Sequence, residues 1–514
     1  MYARRSLLNF AAAIASSAVA ALSGLVATPW LLAWVGEDRF GAYRMATDWY
    51  GYLTLMELGL GGALLPLMAR AWARGDARVI RGTLAVGLRA YLRVTIATLL
   101  IGLALATIVT RLVPVGPEHA ADLRRAWLVG LLGLLPMVLT PYRAVLEASQ
   151  RSDRISLLLT VQGLIITGSS LLLAWAGWGI TGLSLAATFG AWAFYLVVAR
   201  IGLRALPERT GLPPGPEPDL GRELWSLSVP ALLLDVGGRI GLLSDNLVLG
   251  LYLGPASVAT LIVTVKLVGL AQAQLLMIGS ASWASLAALH ARGEEEAFRA
   301  RLVELTSVVA LLGLAVLAPI VAYNRHFLAL WVGPGLDGGD AVVVVAAANT
   351  LVQAILSLWN WCFGGTGKVR QMVVPYMAVT ALNLAASVAL TPRLGLVGPL
   401  LGTLLAGLLA EFWYLPVMLR RTFGVAPAAL IRAVAVPLAW GVPYAAGLWW
   451  IARNHRPWGW VGLAAEMGGA AVVFLGLGAY AILGPSDRAR WRRRLADFWP
   501  GIWGGAASGR PDIP

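Results

Sequence analysis

The chain has 514 residues, 59% of them hydrophobic and 13% charged, with a mean hydropathy of +0.74 and a net charge of +14. Soluble globular proteins carry about 25% charged residues, so this composition excludes a soluble domain and leaves an all-α polytopic membrane protein. Nucleic acid is not the partner implied by the positive charge, because the arginines cluster at the ends of apolar runs.

Runs of about 20 apolar residues, enough for a helix to cross the hydrocarbon, recur about fourteen times. They lie near residues 8–35, 42–69, 84–110, 126–148, 155–176, 180–203, 224–251, 258–289, 302–323, 341–362, 372–390, 396–419, 427–451 and 459–483, and are numbered helices 1 to 14. Helix 1 has signal-peptide features in Arg4, Arg5 and Ala18-Val19-Ala20. Its apolar run continues to Val35 and helix 2 follows at once, so it is expected to stay in the protein.

Helix 2 carries Arg44 near its outer end, then Asp48, and ends in "ELGLGGALLPLMARAWARGD", where Glu57 is expected to be structural. Helix 3 places Arg89 and Arg93 on one face near a membrane boundary, where long side chains can snorkel to headgroups or recognise them. Arg143 and Glu147 form an i,i+4 pair on helix 4. The prolines of "LPERTGLPPGPEPDLGR" mark a linker before helix 7. Helix 7 holds the unusual stretch "LDVGGRIGLLSDNLVLG", with Asp235, Arg239 and Asp245. A charge at the bilayer centre costs at least ~3 kcal/mol, so these need either each other or a ligand. At ~100° per residue Asp235 and Arg239 share a face; Asn246 returns close to it and Asp245 lies roughly 80° away. Either they neutralise each other and lock helices together, or they act in a polar cleft.

Asn349, Gln353, Asn360, Glu411 and Glu466 are expected to bond between helices. The tail "RARWRRRLADFWP" suits a helix resting on the membrane surface. Basic residues alternate in density between sides: one set of loops and ends holds 26 of the 40 Lys and Arg, the other nine. The positive-inside rule then puts both termini in the cytoplasm, with anionic lipids as partners.

Chemistry-bearing motifs are absent from the sequence. Cys362 is the single cysteine, and the four histidines match no metal-ligand spacing. "CFGGTGKV" lacks the first glycine and the final Ser or Thr of a phosphate loop, and "GWGITG" has no preceding strand. No catalytic constellation, cofactor or metal is expected, and the reading is not an enzyme.

The sequence repeats itself. Gly36 matches Gly254, Gly61 matches Gly279, Arg74-Gly75 matches Arg292-Gly293 and Arg81 matches Arg299, all 218 positions apart. Gly179 and Gly182 match Gly395 and Gly398 at 216. Six helices per copy make the copies parallel, related by an axis along the membrane normal. The expected organisation is a six-helix lobe over residues 1–205, a linker over 206–223 and a second lobe over 224–423. Helices 13 and 14 follow over 424–484, and a basic tail over 485–514.

The helix-2 signature, "DNLVLGLYLGPASVA" and "GTGKVRQMVVPYMAVTALNLAASVALTPRLGLVGPLLGT" resemble the polysaccharide-biosynthesis flippases of the multidrug/oligosaccharidyl-lipid/polysaccharide exporter superfamily. That resemblance implies two lobes around a central cleft. It also implies alternating access and transfer of undecaprenyl-diphosphate-linked oligosaccharide to the outer leaflet of a bacterial or archaeal plasma membrane. It makes Arg239, Asp235, Asp245, Asp48, Lys266, Arg89 and Arg93 the candidate substrate-binding residues, with H⁺ or Na⁺ as a possible coupling ion and a monomer as the working unit. Lipid II flipping and small-molecule export are the alternatives. Lipid II flippases carry arginines in the cleft-facing parts of helices 1 and 2, whereas Ser6 to Gly36 here holds no charge. The 218 offset pairs Asp48 with Lys266, which are expected to approach across the cleft when the outer side closes, or else to bond separately within their own lobes.

Overall fold

The structure is a computed structural model that describes residues 2–207, 218–368 and 370–481; the side chains of 2–16 and of most of 227–242 are outside the description. The tail, the centre of the linker and the Asp235 and Arg239 side chains therefore lie outside the described residues.

Every regular element among the described residues is helical. Among the same residues thirteen segments are long and apolar enough to cross a membrane, counting the bent pair Glu37–Glu57 and Leu60–Arg74 as one. They coincide with thirteen of the expected spans. The remaining one, helix 7, is the continuous 36-residue helix Pro218–Leu253.

Matched glycines mark matched boundaries. Gly36 and Gly254 precede helices 2 and 8 with φ/ψ of 87/157 and 85/165, a region essentially confined to glycine. Gly75 and Gly293 end the same helices at φ 68 and 73. The matched glycines thus share a backbone conformation as well as a spacing.

Packing divides the chain into two compact units. One comprises Met1–Lys266, Trp331–Val352 and Thr366–Tyr414; the other comprises Leu267–Leu330, Gln353–Gly365 and Leu415–Pro514. Helix 7 and the first segment of helix 8 thus pack with helices 1–6, so the units of packing differ from the units of sequence repetition. In the first unit Leu60, Leu64, Met68 and Tyr91 are buried between helices 2 and 3. In the second, Phe298 stacks on Phe423 at 5.0 Å, and Trp359 donates to Thr306 at 3.0 Å. Tyr444 on helix 13 donates to the Ala470 carbonyl on helix 14 at 2.6 Å.

Two expected spans are broken. Helix 2 runs as Glu37–Leu53, a 3₁₀ turn at Thr54–Glu57 and then Leu60–Arg74, with a bend of 49°. Leu58 and Gly59 sit at the bend with φ 54 and 72. Helix 8 is split into Pro255–Thr264 and Lys266–Ala291. Hydropathy continues through both breaks, which is why each reads as one span.

Helix 1, Tyr2–Val35, contains Pro29. Proline has no N–H, so the Leu25 carbonyl loses its helical donor. The Trp331 indole supplies one at 2.7 Å.

Candidate functional site

Three groups of polar residues in the first unit bear on the expected site. The first is built on Asp245. Helices 11 and 12, Arg370–Leu394 and Val397–Ala406, bring Asn383, Ser387 and Thr403 to it. Thr403 Oγ1 lies 3.1 Å from Asp245 Oδ2 and 3.0 Å from Asn383 Oδ1. Ser387 Oγ lies 3.1 Å from Asn383 Oδ1 and 3.5 Å from Asp245 Oδ1, and both hydroxyls lie 3.3 Å from the Pro399 carbonyl. Each hydroxyl has one proton to donate. Four acceptor oxygens compete for two protons, an oxygen-rich set of the kind that hard cations favour. No cluster of three His, Cys, Asp or Glu occurs among the described residues, which removes the ligand set zinc prefers. A π turn at Gly407–Glu411 follows directly on helix 12.

The second group lies where helix 2 meets helices 7 and 8. Gly41 packs directly on the Pro255 backbone carbonyl. One turn further on, Arg44 is close enough for its charge to act on both Asp48 and Lys266. Arg44 Nε is buried with no hydrogen-bond partner. Lys266 opens the second segment of helix 8 and lies against Gly24, where an added Cβ would come within 3.3 Å of Nζ. Asp48, 3% exposed, takes a hydrogen bond from Asn246 Nδ2 at 2.9 Å and makes no ion pair with Lys266 in this structure. Asp245 and Asn246, about 100° apart on helix 7, thus serve different neighbours.

The third group surrounds a cavity of about 430 Å³ lined by Glu57, Tyr91, Thr140, Arg143, Glu147 and Tyr195 among others. The helix-2 break turns Glu57 over Gly61, and Tyr91 of helix 3 donates to its carboxylate. The expected Arg143–Glu147 pair is present at 2.8 Å. Arg89 and Arg93 are exposed, and Arg89 bonds back to the Ala85 carbonyl at 3.3 Å.

The structure therefore sets Asp48 and Lys266 near Arg44, gives Asp245 its hydrogen-bond partners on helices 11 and 12 with Tyr52 close to both Asp48 and Asp245, and leaves Arg89 and Arg93 outside all three groups. Sequence reasoning missed Asn383, Ser387, Thr403 and the role of Arg44. The available signal was the i,i+4 spacing of Asn383 and Ser387 on an apolar helix, which puts two polar groups on one face.

Solved structures share the fold. A lipid II flippase, MurJ, in an inward closed conformation aligns with a TM-score of 0.71 over 93% of this chain and 99% of its own, at 11% identity. An inward-facing multidrug-resistance MATE transporter of the MOP superfamily aligns at 0.59 over 85% and 98%, at 14% identity. Its outward-facing form aligns at 0.57 over 86% and 96%, also at 14%. At such identities the likeness concerns the fold alone. No curated protein matches the chain. The family model for polysaccharide biosynthesis proteins matches residues 6–284, more than half of the sequence. The chain is a multi-pass membrane protein and belongs to the polysaccharide biosynthesis protein family.

Proposed function

We propose that the protein flips an undecaprenyl-diphosphate-linked oligosaccharide from the cytoplasmic to the outer leaflet of a bacterial or archaeal plasma membrane, by alternating access, with both termini cytoplasmic. The observation that carries this reading is the match of residues 6–284 to the polysaccharide biosynthesis family, and the membrane-spanning part of the first unit supplies Arg44 and Lys266 as candidate cations. Two cations sharing one site repel each other, and an anionic ligand offsets that cost. A diphosphate suits the pair, since a guanidinium binds two phosphate oxygens at once. Arg239 on helix 7 is a further candidate donor. In the same reading the Asp245 group takes the coupling cation, Na⁺ or H⁺. Arg89 and Arg93 meet anionic headgroups at the membrane boundary.

The sugar is identified by depletion: the lipid-linked oligosaccharide should accumulate on the cytoplasmic leaflet. The near full-length alignment with a lipid II flippase supports lipid II as a second reading, in which lipid II accumulates instead. A change in drug sensitivity alone would overturn both.

A further inference from the structure

Gly61 and Gly279 are repeat mates with different surroundings. A Cβ at Gly279 would meet the Leu358 backbone nitrogen at 3.2 Å and Trp361 Cδ1 at 3.1 Å, so helix 10 closes directly on that glycine. A Cβ at Gly61 would instead meet side chains, the Glu57 carboxylate at 2.7 Å and the Tyr91 hydroxyl at 3.4 Å. Helix 4, the counterpart of helix 10, leaves a cavity of about 430 Å³ there. The second copy has Leu275 and Val309 at the positions of Glu57 and Tyr91, 218 residues on, and both are buried. Apolar residues are thus sufficient to pack this place in a lobe. A buried carboxylate and phenol carry a desolvation cost that an apolar pair avoids, so packing alone does not account for them.

The lining combines two carboxylates, Glu57 and Glu147, one guanidinium, Arg143, and four hydroxyl groups, with leucine and methionine side chains beside them. Glu147 holds Arg143 through Nε at 2.8 Å, and the Arg143 side chain stays 42% exposed, so the cavity reaches the surface there. Its volume falls in the range of ligand sites, about 300–1,000 Å³, with room for roughly one or two sugar rings. Two carboxylates against one guanidinium repel a phosphate, and the polar lining excludes an acyl chain. A neutral polyol fits: its hydroxyls donate to carboxylates that only accept and accept from a guanidinium that only donates. Such charge-assisted bonds are the strong ones, while the apolar side chains cover the C–H faces of a ring.

We propose that this cavity is a saccharide subsite, which takes a sugar unit of the substrate head group at the end of helix 4 that the proposed topology makes cytoplasmic. This rests on the flippase reading and adds to it a place for the sugar apart from the candidate cations Arg44 and Lys266.

The test uses the purified full-length protein in detergent and four soluble probes, maltose, lactose, cellobiose and chitobiose, with binding read by saturation-transfer NMR. At least one should bind the wild type with a Kd of roughly 1 mM. Glu57→Gln and Arg143→Gln should each weaken that binding about tenfold, the scale of a hydrogen bond to a charged group. Glu57→Leu/Tyr91→Phe, which gives the first copy the apolar character of the second, should abolish it and leave the melting temperature within a few degrees of wild type. A merely structural role predicts the reverse, a lower melting temperature with disaccharide binding unchanged. Arg143→Gln, at a half-exposed position, keeps the test decisive if the double variant does not fold.

The proposal is overturned if no probe binds the wild type, or if binding survives both Glu57→Leu/Tyr91→Phe and Arg143→Gln. It is overturned equally if Na⁺, and no saccharide, protects the wild type but not Arg143→Gln from thermal unfolding, which makes the cavity a cation site. Depletion separates this failure from that of the flippase reading. If a lipid-linked saccharide accumulates in depleted cells while the probes fail, the subsite alone is wrong. If none accumulates, the flippase reading falls and takes the subsite's role with it.

Discussion

Helices 2 and 8 are repeat mates with matched ends and different interiors. Both begin after a glycine in a conformation almost exclusive to glycine, and both end at a left-handed glycine. Between those points they break at positions that do not correspond. Helix 2 breaks at Leu58-Gly59, whose counterparts Leu276-Met277 lie in unbroken helix. Helix 8 breaks at Val265, whose counterpart Thr47 lies in unbroken helix. The local sequence explains the first: "ELGLGG" has three glycines where "LLMIGS" has one, and glycine lowers the cost of leaving the helix. Each break also presents one ionisable side chain, Glu57 toward Tyr91 in helix 2 and Lys266 at the start of a new segment in helix 8. The repeat fixes where these helices start and stop. Departures from it decide where their charges point.

The contact between the two helices offers the most severe way to break this comparison. A Cβ at Gly41 would drive into the Pro255 carbonyl, which is backbone and cannot rotate away. Gly41→Ala should cost roughly 3 kcal/mol, the upper end of overpacking, seen as a fall in melting temperature and loss of transport. A melting temperature within about 1 °C of wild type, on the scale where 1 kcal/mol moves it by a few degrees, would mean that helices 2 and 8 are not in close contact.

A milder pair of changes tests whether the ends are equivalent. A Cβ added at Gly36 or Gly254 would meet nothing within 4 Å, so substitution there probes backbone strain alone. Gly36→Ala and Gly254→Ala should each destabilise by about 2 kcal/mol, and by the same amount within error. Unequal losses would show that the shared dihedral angles do not reflect shared constraint.

The smallest effects carry opposite signs. Leu58 holds a left-handed conformation, which costs about 1–2 kcal/mol for an ordinary residue. Leu58→Gly should therefore stabilise by about 1 kcal/mol, while Leu276→Gly, at the matching helical position, should destabilise by about 1 kcal/mol. Equal signs in thermal or denaturant unfolding would place both leucines in the same backbone state.

The spans were legible because crossing hydrocarbon demands apolar length, and hydropathy records length directly. Gly36 and Gly254 were legible as matched positions, but that helices 2 and 8 start directly after them, at Glu37 and Pro255 and not near 42 and 258, needed the backbone. Breaks inside a span leave no hydropathic trace, so nothing in the apolar pattern singles out Leu58 or Val265. Side-chain partners were less legible still. Helical geometry correctly put Asp245 on a different face from Asn246. It gave no means of finding Thr403, 158 residues away, or Ser387, 142 away. The repeat pointed Asp48 at Lys266, but a repeat records equivalent positions and not contacts. Asn246, which has no charge to attract attention, holds Asp48 in this structure.

The proline in helix 1 has a consequence of another kind. The carbonyl it strands at Leu25 is met by the Trp331 indole, 306 positions later. Each residue makes sense only in the presence of the other: a helix without Pro29 has no carbonyl to offer, and a chain without Trp331 leaves one unmet in the membrane. In a collection of related sequences, the two positions should therefore change hands together, as a correlated pair separated by more than half the chain.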